Sequence, residues 1–221
     1  MKMVKAVFIN YTDMMVQDQG QDHEELIARM VKNCSLKEPV ELFEWINEQQ
    51  TLLREQSYGE NYQSVDDHYL IILEKARISC GLKENYEELR KLWINHWMYG
   101  PMYNDVFTFF QQCHVPVYIV SELPEPFIRV NLKRNDLHVH GILSSDAVKA
   151  YRPRNEIYDK AIQMCECKSE DILWVTGSYE NDGKYASLIG MTPILLKRYG
   201  KEENVSWKEV NRLNDVLRYI E

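Results

Sequence analysis

Val4-Lys5-Ala6-Val7-Phe8-Ile9-Asn10-Tyr11-Thr12-Asp13 is the stretch from which the fold is read. Val4 to Ile9 is an apolar run of β-branched and aromatic residues that only Lys5 interrupts. Such a run predicts a strand covered on both faces. Four polar or amphipathic residues, Asn10, Tyr11, Thr12 and Asp13, follow at its C-terminal end. In open α/β sheets, ligands bind in the crevice outside the carboxyl ends of the strands. Asn10 and its neighbours are therefore the first candidates for a site.

C-terminal to this strand, the pattern turns helical. Leu26, Ile27, Met30 and Val31 recur at helical spacing, with Glu24 and Glu25 in the first turn, where they suit the helix dipole. A second helix should begin at Pro39, carry Leu42, Phe43, Ile46 and Leu53, and end before Gly59. A third spans Ser64 to Cys80, stopped by Gly81; a fourth starts near Asn85 and ends at Gly100-Pro101; a fifth runs from Asp105 to Cys113. One crossover helix suffices for a βαβ unit. This much helix reads instead as an insertion.

Beyond Val115, strands and helices alternate. Strands are expected over 115–120, within 137–143, over 171–175 and over 192–196. Helices are expected over 126–133, 155–165, 183–189 and 207–220. Short connections between such units predict an α/β fold with a Rossmann-like parallel sheet, helices on both faces, and an inserted α-helical domain. Residues 1–15 and 101–221 form the core and residues 16–100 the insertion. The strand ends at Asn10, Ser121 and Thr176 should meet at one edge.

Composition narrows the function classes. The 221 residues are 45% hydrophobic and 27% charged, with a net charge of −8. That balance suits a soluble globular chain, and its acidity argues against nucleic acid or an anionic membrane as partner. The five cysteines have no framework spacing, and the C-x-C of Cys165 and Cys167 lacks a second pair, so free thiols of a cytoplasmic protein are expected rather than zinc or disulfides. Neither a signal peptide nor a membrane span is expected. His138 and His140, two residues apart, read as strand histidines rather than metal ligands. The aromatic cluster of Trp93, Trp97, Tyr99, Tyr103, Phe107, Phe109 and Phe110 reads as packing between insertion and core, with a homo-oligomer contact as the alternative.

Four short motifs, in order, carry a resemblance over nearly the whole chain. They are Asn10-Tyr11-Thr12-Asp13 after the first strand, Ser121 after Tyr118-Ile119-Val120, Arg152-Pro153 with Glu156-Ile157-Tyr158, and Thr176-Gly177-Ser178-Tyr179-Glu180-Asn181-Asp182. This arrangement resembles the haloacid dehalogenase superfamily of dehalogenases and phosphatases, in members with a helical cap inserted after the first core strand. The resemblance implies that the nucleophilic carboxylate falls on Asn10, the general acid on Thr12, the strand-end hydroxyl on Ser121 and the conserved cation on Arg152. One metal-side carboxylate falls on Gly177, and the other survives as Asp182.

These departures have chemical consequences. An amide has no anionic oxygen with which to open a covalent intermediate. Mg²⁺ usually takes one or two carboxylates, and Asp182 alone is a poor set. The resemblance with its losses thus implies a pseudoenzyme that binds a small phosphate or carboxylate, or a protein. The expected ligand contacts are Asn10, Tyr11, Thr12, Ser121 and Arg152, with backbone N–H groups near Ser121 and Tyr11 to Asp13 adding an anion nest and no cofactor required. The alternative is an active phosphatase or dehalogenase working through Asp13 or Asp182, with Mg²⁺ held by Asp182. A purely structural protein with a closed pocket is the third reading.

Overall fold

The computed structural model describes residues 3–12, 14–198 and 207–220. Asp13, named above as an alternative nucleophile, lies outside them. Among the described residues, six parallel strands form one sheet in the order β3-β2-β1-β4-β5-β6. They are β1 (Ala6–Asn10), β2 (Val117–Ser121), β3 (Gly141–Ser144), β4 (Ile172–Thr176), β5 (Thr192–Leu196) and β6 (Lys208–Val210). The opening stretch is thus a central strand. Its side chains alternate between two cores: Val7 and Ile9 enter one, Ala6 and Phe8 the other. Phe8 stacks between Tyr118 and Trp174, with ring centroids 4.7 and 5.5 Å away.

Among the described residues, five α-helices separate β1 from β2: α1 (Gln21–Asn33), α2 (Pro39–Gln56), α3 (Val65–Cys80), α4 (Tyr86–Tyr99) and α5 (Asn104–Gln112). Their ends follow from local chemistry. Ser64 Oγ accepts from Asp67 N, while an Asp67 carboxylate oxygen accepts from Ser64 N, a reciprocal cap that starts α3. Gly81, with φ +65°, ends it. Asn85 Oδ1 accepts from the N–H groups of Glu87 and Glu88 and starts α4. After β2 come α6 (Glu125–Arg134), α7 (Ser145–Val148), α8 (Asn155–Cys165) and α9 (Lys184–Leu188). The aromatic cluster is largely spent within this chain. Tyr69 packs on Trp93 and Trp97, and Trp97 stacks on Phe127 of α6 at 5.9 Å.

Three expected elements differ. The closing helix over 207–220 is instead β6 followed by a 3₁₀ segment, Leu213–Tyr219, within the described residues. Lys208 to Val210 cover the edge of β5, and the buried Leu213 and Val216, three apart, suit three residues per turn. The helix expected from Gly183 begins as a π-helical turn, Tyr179–Gly183, which buries Asp182. Of the one or two short strands expected within 137–143, one forms, Gly141–Ser144, and His138 and His140, read as strand histidines, lie outside it; His140 Nδ1 accepts from Val117 N at 3.3 Å.

One ion pair ties this C-terminal segment to the rest. Asp105 of α5 accepts from Arg198 Nη1 and Nη2 at 2.7 and 3.0 Å and from Leu213 N at 2.7 Å, and Arg198 also donates to Met14 O. Asp105→Asn keeps the shape but removes the charge that holds Arg198. We expect it to lower unfolding stability by about 1.5–3 kcal/mol, the range for bonds to charged groups, read as the urea midpoint at an unchanged m-value. Among the described residues, no helix is long and apolar enough to cross a membrane.

Candidate functional site

The carboxyl ends of β1, β2 and β4 open into a cavity of about 1040 Å³ between the sheet and α1–α4. Drug-sized ligands occupy pockets of roughly 300–1,000 Å³. Asn10, Tyr11 and Thr12 line the sheet side together with Glu122, Arg152, Gly177 and Asp182; Phe43, Ile46, Gln50, Arg54, Tyr69, Trp93 and Trp97 line the helical side. The cavity is therefore an apolar, aromatic wall facing a charged floor.

The floor is a buried ion-pair network. Arg152, whose side chain is 8% exposed, donates from Nη1 to Asp182 Oδ2 at 2.7 Å and from Nη2 and Nε to Glu122 Oε1 at 2.7 and 3.1 Å. Its Nη2 also donates to Asn10 Oδ1 at 3.2 Å. Burial works against the charge on Arg152, but Glu122 and Asp182 outweigh it and raise the guanidinium pKa. Burial would likewise lift Glu122, yet Arg152 and Arg54 bring its carboxyl down to about 2. Arg54 Nη2, from the last turn of α2, lies 3.7 Å from Glu122 Oε2. Glu122 thus links the helical side to the sheet side, and two cations face two carboxylates.

This arrangement revises several expectations. Arg152 was expected to offer its fork to an anion, but the fork is spent on Glu122, Asp182 and Asn10. Asp182 was expected as a weak metal ligand. It accepts instead from Arg152 Nη1, Tyr158 Oη and Trp174 Nε1, the last two at 2.9 Å. A carboxylate offers about four acceptor positions, so three are taken by protein donors. The position of the second metal-side carboxylate is Gly177, which has no side chain to offer; a Cβ there would lie 2.5 Å from Met14 Cε, the end of a flexible side chain that would have to shift. A thioether methyl fills that space. The described residues at this edge do not fit Mg²⁺, which demands near-octahedral oxygen donors.

Ser121 also takes a different role. It is 1% exposed, its Oγ accepts from Leu123 N at 3.1 Å in the turn that leads to α6, and it does not line the cavity, although Glu122 and Leu123 beside it do. The expected anion nest is reduced by the same turn, and Tyr11 N is already bonded to Val120 O at 3.0 Å. Tyr11 does line the cavity, through a ring whose hydroxyl donates to Trp97 O at 3.3 Å; burial raises its pKa. Thr12 and Asn10 stand in the cavity wall as expected.

Two charged residues were not anticipated. Glu122 follows Ser121 directly, so its place at a strand end was available from the sequence. Arg54 lies in a helix remote from β1 in the chain, and no motif marks it. Its Nε is buried without a hydrogen-bond partner, while Nη2 donates to Gln50 Oε1 at 3.3 Å. Its guanidinium also lies 5.7 Å from the centroid of the Tyr151 ring.

No protein-family model and no curated protein matches the sequence. Solved structures do match. An L-2-haloacid dehalogenase superposes over 99% of this chain and 99% of its own, with TM-score 0.79 and 18% identity. The L-2-haloacid dehalogenase from Xanthobacter autotrophicus covers 99% of this chain and 98% of its own at TM-score 0.79 and 13% identity. The same enzyme with chloropropionic acid covalently bound gives TM-score 0.76 and 13% identity, with 99% and 98% covered. The resemblance read from the four motifs is thus matched by the fold, which is that of the haloacid dehalogenases over the full chain.

Proposed function

We propose that this protein uses a haloacid dehalogenase fold to bind a small carboxylate or phosphate with an apolar body, without covalent turnover. Residues 16–100 act as the cap, and residues 1–15 and 101–221 as the core that it covers. The observation that carries this reading is Asn10. At the end of the central strand stands an amide whose oxygen already accepts from Arg152. It supplies no anionic nucleophile.

Arg54 replaces Arg152 as the cation that meets the ligand. It stands on the cap side, is 30% exposed, and carries a buried N–H without a partner. The wall of Phe43, Ile46, Trp93 and Trp97 suits the apolar body. The alternative, an active enzyme working through Asp182, is less favoured because three donors already hold that carboxylate.

The test is thermal unfolding with phosphate and a panel of short-chain carboxylates and phosphorylated compounds, each with and without Mg²⁺. A ligand at one hundred times its Kd stabilises by about 2.7 kcal/mol. We expect at least one anion to raise the Tm equally with and without Mg²⁺, and Arg54→Gln to abolish that rise. A rise that needs Mg²⁺, or one that survives in Arg54→Gln, would overturn the assignment.

A further inference from the structure

We infer that Asp18, His23 and His96 form a binding site for a divalent first-row transition metal at the rim of the cavity. One ligand atom from each of these residues lies within 4.8 Å of the others. His96 Nε2 is 3.4 Å from Asp18 Oδ1, and the two imidazole rings lie 4.7 Å apart. The three come from different places. Asp18 is in the loop after β1, His23 is in the first turn of α1, and His96 is in the last turn of α4.

The donor set selects the class of ion. Two imidazoles and a carboxylate suit zinc, nickel, copper or iron rather than magnesium or calcium, which prefer oxygen alone. Metal–nitrogen bonds of about 2.0–2.1 Å bring adjacent ligand atoms to about 3–3.5 Å of one another. His96 Nε2 and Asp18 Oδ1 are already at that spacing, 3.4 Å, and with all three atoms within 4.8 Å a small side-chain adjustment completes the set. Asp18 is 60% exposed and His23 half-buried, so both have room to move, while His96 is 7% exposed and anchors the site. His23 packs against Phe43 at 5.7 Å, which orients its ring.

Three protein ligands leave at least one position open in a tetrahedral or larger shell. All three residues line the same cavity as Asn10 and Arg54. An ion held here faces the same ligand space as the Arg152 network. It also joins α1 to α4 and so stabilises the cap. The site does not depend on the reading of Asn10 as catalytically silent.

The test uses Co²⁺ and Zn²⁺ with the full chain. Co²⁺ should bind with one-to-one stoichiometry and give a visible absorption band that Zn²⁺ displaces, with a Tm rise in both cases. Changing an outer-shell partner costs about 10- to 100-fold in metal affinity, so loss of a direct ligand in His23→Ala or His96→Gln should cost at least about tenfold. His23 is half-buried, so His23→Ala should fold and decides the matter should His96→Gln not do so. Cys165→Ser/Cys167→Ser controls for metal at the C-x-C pair and should bind Co²⁺ as the parent does. Undiminished Co²⁺ affinity in His23→Ala, loss of binding in the cysteine variant, or no saturable binding by the parent would each overturn the site.

Discussion

Arg152→Met will unfold this protein far more readily than the loss of one surface charge would. The substitution leaves Glu122 and Asp182 buried without the cation that bridges them, their side chains only 14% and 4% exposed. Breaking a buried pair by removing one partner costs about 3–5 kcal/mol, because the remaining charge is uncompensated. Total stabilities of domains are about 5–15 kcal/mol, so the variant should lose a large share of its margin. Arg54, 3.7 Å from Glu122, and the Tyr158 and Trp174 donors at Asp182 place the loss nearer the lower end. Arg152→Lys keeps the charge but not the fork that reaches Glu122, Asp182 and Asn10 together, and should recover only part of the stability. Urea unfolding at pH 7 measures all three proteins. A cost below about 1 kcal/mol, the usual value of an exposed pair, would mean that the network is solvated.

The pH dependence of that loss separates charge from packing. In the parent, Glu122 titrates at about 2 when folded, below its unfolded value of about 4.3. Its contribution is therefore present above about pH 4.3 and lost as the pH falls through about 2. In Arg152→Met, burial now dominates and the folded pKa of Glu122 rises above the unfolded value. The variant is then least penalised at low pH, where Glu122 is protonated, and most penalised at neutral pH. The gap between parent and variant should thus narrow from pH 8 to pH 5. A gap independent of pH would point to lost packing alone.

The sheet was legible in the sequence for a simple reason: strands covered on both faces must be apolar along their whole length. Val7 to Ile9 and Ile172 to Val175 show this, and both are central strands. The helix ends were legible where a side chain closes them, as at Ser64 and Asn85. The segment over 207–220 was not, because Leu213, Val216 and Ile220 fit a helical stripe as well as a 3₁₀ one. What separates them is the exposed edge of β5, a tertiary feature. In the site, Asn10 and Arg152 were found because motif spacing marks them. Their state was not, since it depends on Glu122 and Asp182 arriving from other parts of the chain. Asp182 illustrates the point: Arg152, Tyr158 and Trp174 come from three segments to take its oxygens. Arg54 and the Asp18, His23 and His96 cluster had no local signal, being assembled by the packing of helices and of the loop after β1.

On the proposed non-covalent reading, Asn10→Asp should give a reactive site. The change adds no volume and places a carboxylate where the central strand meets the cavity, within reach of Arg152 Nη2, which now holds the amide oxygen at 3.2 Å. That guanidinium then faces three carboxylates, Glu122, Asp182 and the new one. Two effects compete at position 10. The Arg152 charge favours ionisation, and the two neighbouring acids oppose it. Direct hydrogen bonding to a cation within a few ångströms usually prevails, so the new side chain should be ionised at pH 7. Given 2-bromopropionate, its oxygen forms a bond to C2 while the C–Br bond breaks and bromide leaves with the electron pair. The product is an ester on residue 10. Intact-mass measurement should find this adduct in Asn10→Asp and none in the parent, and bromide release should follow the same pattern. In one solved structure of this fold, the Xanthobacter autotrophicus enzyme at 13% identity, chloropropionic acid is covalently bound. Adduct or bromide release from the parent would overturn the non-covalent reading. An unreactive Asn10→Asp that still binds the anion found by thermal unfolding would place that ligand on the Arg54 side of the cavity, out of line with the strand end.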